Sequence, residues 1–385
     1  MRTTFDRHPP AEAFAWTDRL TTARRHECVA LADAAGRILG RDVRAATDAP
    51  AESLAAVDGY AVIAADIHGA TDYSPLPLRV SQTGERLRPG HATPVQAGDP
   101  IPPNADAVVA LDACEAFGPV LQVSSAPAIG DGTVRPGEEC RRGDLLYPAG
   151  HRLRPQDLAR TALAGLDELP VFARPRVAVV LAGRFARDVD GPMLTALVRR
   201  DGGDLVGVER AGDAASLGVL LTGDDCDLVL VAGGTGFGAA DFTVATLAEV
   251  GAVELDGVAL HPGETLALGR VGDTPVVSLP GSPLACLFAY DACAARALRR
   301  LAGRDGEWPY LGRRLTLTRK ISSTIGRMEF CRVRVTGGEA EPLATAEDRL
   351  LATAAEADGF VVVPPRREGH PAGSVVEVLL YDPIN

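Results

Sequence analysis

Four short segments of this 385-residue chain carry residue types and spacings suited to chemistry. The first is Gly233-Gly-Thr-Gly-Phe-Gly238, directly after the apolar run Leu228-Val-Leu-Val231. Its four glycines, Gly233, Gly234, Gly236 and Gly238, let backbone amides beside Thr235 turn toward an anion, and a following helix adds its positive dipole end. The second is Pro280-Gly-Ser-Pro283, after the run Pro275-Val-Val-Ser-Leu279. Pro280 and Pro283 fix the loop around Gly281, and Ser282 is placed to cap a helix or to donate to an anion. The third, Val57-Asp58-Gly59-Tyr60, and the fourth, His261-Pro262-Gly263-Glu264, read as turns. Taken singly, each of the four is also satisfied by an ordinary turn or helix start with no ligand.

The elements around these segments change character along the chain. Residues 11–24 read as a helix, and Val29–Val43 as a strand, a short helix and an extended piece. From 48 to 135 short apolar runs such as Tyr60–Ile63 and Val120–Val123 are punctuated by Pro and Gly, which predicts a β-rich domain. A helix over 155–166 follows. Between 175 and 303 the pattern alternates: strand Val177–Leu181, helix Pro192–Arg200, strand Leu228–Val231, a helix capped by Asp241 and reaching Val250, strand Pro275–Leu279, and a long helix with Ser282 as N-cap and Pro283 as its first residue. Continuous apolar strands alternating with helices imply a parallel sheet covered on both faces, with ligands at the strands' carboxyl ends. The tail beyond 308 returns to strands, among them Arg314–Thr318, Glu329–Val335, Phe360–Val363 and Val375–Leu380.

Composition narrows the function classes. The 39 basic residues include a single lysine, Lys320, which lies in Thr-Arg-Lys-Ile-Ser and has no glycine before it, so a P-loop is excluded and Schiff-base chemistry has one unpromising candidate. A net charge of −12 argues against nucleic acid as a partner while leaving room for a local small-anion pocket. No apolar run reaches the roughly 18 residues of a membrane helix, and no secretory signal is visible near the start. Seven scattered cysteines without a Cys-x-x-Cys predict reduced thiols in a cytoplasmic protein, and neither cysteine nor histidine offers metal-ligand spacing.

Together the segments resemble the molybdopterin molybdenumtransferases, the molybdenum insertases of the MoeA and gephyrin E-domain type. The likeness runs through Ala55–Val62, Ile101–Val109, Val134–Glu139 with Gly143-Asp144, Gly233–Asp241, Pro262-Gly263, Leu279–Pro283 and Gly326–Val333, in family order along essentially the whole chain. The resemblance implies a multidomain α+β protein that forms an elongated homodimer. A discontinuous linking domain takes 1–47 and 136–172, a β-rich domain 48–135 is inserted within it, an α/β molybdopterin-binding domain like that of MogA takes 173–305, and a β-barrel-like domain 306–385. It also implies the activity: adenylated molybdopterin is hydrolysed, AMP leaves and molybdate enters the dithiolene, with Mg2+ assisting. The site would lie between the α/β domain of one subunit and the β-rich domain of the other. Further partners would be a molybdopterin adenylyltransferase or a client molybdoenzyme.

The chain departs from the family pattern where charge matters. Thr-Gly-Asp-Glu-Leu after the first α/β strand reads Ala182-Gly-Arg184-Phe185-Ala186, so two carboxylates are replaced. Pro-Gly-Lys-Pro reads Pro262-Gly263-Glu264-Thr265, the asparagine of Leu-Pro-Gly-Asn-Pro is Ser282, and Thr-Gly-Ala-Pro reads Ala97-Gly-Asp-Pro100. Magnesium needs oxygen ligands. The carboxylates left for catalysis are Asp58, Asp241, Asp190 and Asp213, with Asp58 and Asp241 the metal candidates. The glycine loop, Pro262-Gly263 and Pro280–Pro283 remain as the pterin-phosphate cradle. Three functions stay open: an active insertase, a catalytically impaired protein that binds or delivers molybdopterin or the finished cofactor, and an adenylyl transferase acting on molybdopterin.

Overall fold

A computed structural model describes residues 7–20, 25–82, 86–183, 187–223, 226–238, 240–343 and 350–382. The chain divides into two compact units, one of residues 1–25 with 172–385, the other of residues 26–171.

The first unit is built on a doubly wound sheet. Its elements are helix α1 (Pro10–Asp18), β1 (Arg176–Ala182), α2 (Asp190–Arg200), β2 (Asp204–Ala211), α3 (Ala214–Leu221), β3 (Leu228–Ala232), α4 (Thr243–Val250), β4 (Ala252–Asp256), β5 (Ala267–Val271), β6 (Thr274–Leu279) and α5 (Pro283–Ala289). The strand order is β2-β1-β3-β6-β5-β4; β2, β1, β3 and β6 run parallel, and β5 and β4 add an antiparallel edge. The apolar runs are continuous because each central strand feeds two cores. Val177, Val179, Leu181, Leu228, Leu230 and Val277 face one core with α1, α2 and α5, while Val180, Val229, Val231 and Val276 face the other with Leu217, Leu221 and Leu247 of α3 and α4. The three parallel strands that matter for function therefore end together, at Ala182, Ala232 and Leu279.

The long C-terminal helix is not uniform. After α5 the chain takes one π-helical stretch, Tyr290–Ala294, before resuming as α6 (Ala295–Leu301). That stretch carries Tyr290 and Asp291 into the interior. Arg200 binds Asp291 at 2.6 Å and Asp201 at 2.8 Å, Arg299 binds Asp201 at 2.7 Å, and the hydroxyls of Tyr310 and Tyr290 donate to Asp291 and Asp201 at 2.7 and 3.1 Å.

The same unit holds the C-terminal barrel. Strands Leu311–Leu317, Met328–Thr336, Glu339–Pro342, Gly359–Val363 and Val375–Leu380 form a sheet that closes where Met328–Thr336 pairs with Gly359–Val363. Phe330 and Phe360 pack on Phe288 of α5, at ring separations of 4.9 and 5.5 Å, so barrel and sheet share a core.

The second unit contains a six-stranded sheet in the order 107–110, 59–62, 91–95, 76–80, 120–123, 114–117. A separate core joins Ala34, Leu39, Val43, Ala45 and Ala49 to Cys140, Leu146, Leu153, Leu169 and Val171, so chain pieces on either side of the sheet form one subdomain. Helix α1 packs Ala13 and Trp16 into the α/β core and ties Asp18 to Arg296 and Arg300 at 2.8 and 2.9 Å. The reason is chemical: α1 presents Ala13 and Trp16 as an apolar stripe, and the basic side chains of α6 answer Asp18.

Candidate active site

The carboxyl ends of β3 and β6 lead into the two glycine loops, and the loops touch. The Gly233 amide donates to the Leu279 carbonyl at 3.0 Å, and a Cβ on Gly281 would lie 3.3 Å from the Gly233 Cα, so a side chain there would press the loops apart. Gly234 has a φ of 66°, a left-handed conformation that favours glycine. Thr243, at the start of α4, fastens the loop by donating its hydroxyl to the Gly233 carbonyl at 2.7 Å.

These loops wall a cleft of about 470 Å³. The first loop gives Thr235, Gly236, Phe237 and Asp241; the second gives Pro280, Gly281 and Ser282, with Leu284 and Ala285 of α5 behind them. A third wall is His261, Pro262, Gly263, Glu264 and Thr265, and Arg7 lines the cleft as well. Thr235 and Thr265 share a hydroxyl–hydroxyl hydrogen bond of 2.9 Å across two of these walls. The arrangement offers turning backbone, hydroxyls, a guanidinium and an imidazole to a ligand, beside two carboxylates. That is a mixed surface, able to seat an anion and to hold a cation beside it.

Several candidate residues are engaged differently from the sequence expectation. Asp241 does not cap the helix that follows, whose N-cap is Phe242; its Oδ2 instead accepts the Gly238 amide at 2.6 Å and closes the glycine turn. The short span from Gly238 to Asp241 favours this local ring over a reach into α4. Ser282 is the N-cap position of α5 and Pro283 its first residue, but the serine hydroxyl makes no capping bond. Asp213 lies apart from the cleft walls as the exposed N-cap of α3, where it accepts the Ser216 amide at 2.8 Å. Asp58 belongs to the second unit, exposed, with Oδ1 accepting the Ala97 amide at 2.8 Å.

Asp190 is the buried one of the four. It opens α2 just past the end of β1, is 6% exposed, and its Oδ1 has no hydrogen-bond partner. Burial, with the nearby charge of Asp188, pushes its carboxyl up to about 6. Arg184 and Phe185, which stand where the family pattern has Asp and Glu, lie outside the described residues.

Among the described residues no group of three or more His, Cys, Asp or Glu side chains is placed to hold a metal ion. The donor set suits magnesium only in its usual enzymatic form, with one protein carboxylate, waters and substrate phosphates as ligands. Asp241 is the cleft residue that fits that description. Sequence reasoning missed Arg7, Phe237 and Thr265 as cleft residues. Arg7 carried no signal, because the long-range backbone pairing of His8 with Gly257 and Ala259 brings the start of the chain to the cleft.

The fold and cleft define a multidomain protein with a doubly wound α/β domain that carries a cleft at its strand ends, and comparison with known families agrees. Residues 8–165 match the MoeA N-terminal region (domain I and II), 179–300 a "Probable molybdopterin binding domain", and 314–381 the MoeA C-terminal region (domain IV). The chain is 32% identical to molybdopterin molybdenumtransferase 2 of Mycobacterium tuberculosis, across 79% of this chain and 82% of that one. It is 26% identical to the molybdopterin molybdenumtransferase of Bacillus subtilis, across 92% and 89%. A crystal structure of a molybdopterin biosynthesis MoeA protein from Pyrococcus horikoshii superposes with a TM-score of 0.80 at 29% identity, covering 98% of this chain and 100% of that one. The chain belongs to the molybdopterin molybdenumtransferase family, whose work is molybdenum cofactor biosynthesis.

Proposed function

We propose that this chain inserts molybdate into adenylated molybdopterin, releasing AMP, and that the cleft at the ends of β3 and β6 binds the pterin substrate's phosphate. The observation that carries the reading is the convergence of two glycine loops, Asp241 and Pro262-Gly263 on one cleft of about 470 Å³. The loop Gly233–Gly238 holds the phosphate through backbone and the Thr235 hydroxyl, while Pro280–Pro283 gives the opposite wall. Arg7 brings positive charge to it, and His261 an imidazole. Asp241 would hold Mg2+ together with substrate phosphate oxygens and water. Held by Asp241, Mg2+ would supply positive charge beside the phosphoanhydride. Asp58 and Asp190 complete the proposed carboxylate set, Asp190 as a group able to keep or give up a proton near neutral pH. Asp213 is the weakest member, since its carboxylate already caps a helix.

The finer assignments follow from the same reading: a homodimer in which each site draws on both subunits, a cytoplasmic setting consistent with seven free cysteines, and a molybdopterin adenylyltransferase or client molybdoenzyme as neighbour in the route. None of the described helices is long and apolar enough to cross a membrane. The test is direct. The protein is incubated with adenylated molybdopterin, molybdate and magnesium, and AMP and metal-loaded cofactor are scored separately. AMP release that depends on molybdate supports the insertase. Tight pterin binding without AMP release would make it a carrier instead.

A further inference from the structure

Glu264 stands out among the walls of the cleft. The turns around it present backbone amides and hydroxyls suited to an anion, yet its own carboxylate already sits against an amide and an imidazole of the same wall. Oε2 accepts the Gly263 amide at 3.1 Å and lies 3.6 Å from Nδ1 of His261. The His261 ring beside it holds the carboxyl down at about 2, so Glu264 is charged at neutral pH. Asp241 is a second carboxylate in the same walls. A phosphate entering this cleft therefore meets an anion seated on donors it would use itself.

We propose that Glu264 is an internal anion that competes with the substrate's phosphate for the Gly263 amide and the His261 ring, and so sets the affinity of the cleft for phosphate. The proposal deepens the functional reading above and rests on it. The geometry permits the exchange: the side chain of Glu264 is 36% exposed and can swing into water, releasing the amide and the imidazole as the phosphate arrives. While it stays in place, like-charge repulsion weakens phosphate binding. The cleft then favours ligands that bring a cation with them or gain enough from other contacts to displace the carboxylate.

The experiment titrates inorganic pyrophosphate into the full-length protein by calorimetry at fixed ionic strength. Glu264→Gln and Glu264→Ala are compared with wild type and with Glu254→Gln, which removes the same charge from an exposed strand position that pairs with Arg270. Both Glu264 variants should bind pyrophosphate about tenfold more tightly, equivalent to roughly 1.4 kcal/mol, while Glu254→Gln matches wild type. In turnover with adenylated molybdopterin the Glu264 variants should show a lower KM. If Glu264 only braces its loop, the variants bind pyrophosphate no better and melt earlier, and the proposal is overturned. Equal tightening in Glu254→Gln also overturns it, because net charge alone would then account for the gain. If pyrophosphate binds no form of the protein, the phosphate reading of the cleft fails and this proposal with it. Binding to wild type without tightening in the Glu264 variants refutes only the proposal.

Discussion

Asp241 holds the Gly238 amide at 2.6 Å with one carboxylate oxygen and lines the cleft with the same side chain. Two substitutions separate those roles. Asp241→Asn keeps an oxygen for the amide and removes the charge, so AMP release should fall by about two orders of magnitude, the usual scale for losing one preorganised stabilising group, with pterin binding nearly intact. Asp241→Ala also frees the Gly238 amide and should weaken pterin binding as well. Equilibrium binding measured beside AMP release distinguishes the two. Asp190 calls for a different measurement. Its folded carboxyl is raised from the ordinary 3.8 to about 6, so its contribution is fully favourable below pH 4 and is lost as pH rises through 6, where a buried charge must form. Asp190→Asn should therefore come close to wild type at pH 4 and exceed it by about 3 kcal/mol at pH 8. Urea unfolding of both forms across that range checks it, and a constant difference would mean that Asp190 finds a partner for its charge.

At the scale of elements, the buried charges behind the sheet tie α2 to the helix that starts at Pro283. Arg299 is 1% exposed and rests on Asp201 at 2.7 Å, and Tyr290 donates to the same carboxylate. Asp201→Ala would strand that guanidinium in the interior, so a loss of about 3 to 5 kcal/mol is expected in urea unfolding of the unit that holds the sheet. The strands of this sheet were legible because each is buried on both faces: the runs 177–181, 228–231 and 275–279 reappear as Arg176–Ala182, Leu228–Ala232 and Thr274–Leu279. Both glycine loops were legible for the same reason, since a glycine cluster after such a run has little choice but to turn. Edge strand β2 was not, because Asp204, Gly207 and Glu209 break its apolar pattern. The π-helical stretch was hidden too, since Tyr290–Ala294 is locally a good helical sequence and its buried Asp291 is answered by Arg200 and Tyr310, far away in sequence. The placement of α1 depends on long-range contacts of Trp16 and Asp18 that no local pattern encodes.

At the scale of the molecule, the proposed homodimer can be tested through Asp58 and Asp241. Asp58 lies in the 26–171 unit and Asp241 in the other. If the site combines the α/β domain of one subunit with the β-rich domain of its partner, Asp58→Ala and Asp241→Ala homodimers are each defective at both sites. A mixed dimer is different. Its chain carrying Asp58→Ala keeps Asp241, its chain carrying Asp241→Ala keeps Asp58, and two-fold symmetry brings the two intact residues into one site and the two alanines into the other. Random exchange makes half the dimers mixed, with one working site in two, so an equimolar mixture should recover about a quarter of wild-type AMP release. A site confined to one chain gives no recovery, because every chain then carries a defect. With a different affinity tag on each variant, recovery of doubly tagged dimers beside the assay shows whether subunits exchanged, so a silent mixture of exchanged dimers would overturn the shared site.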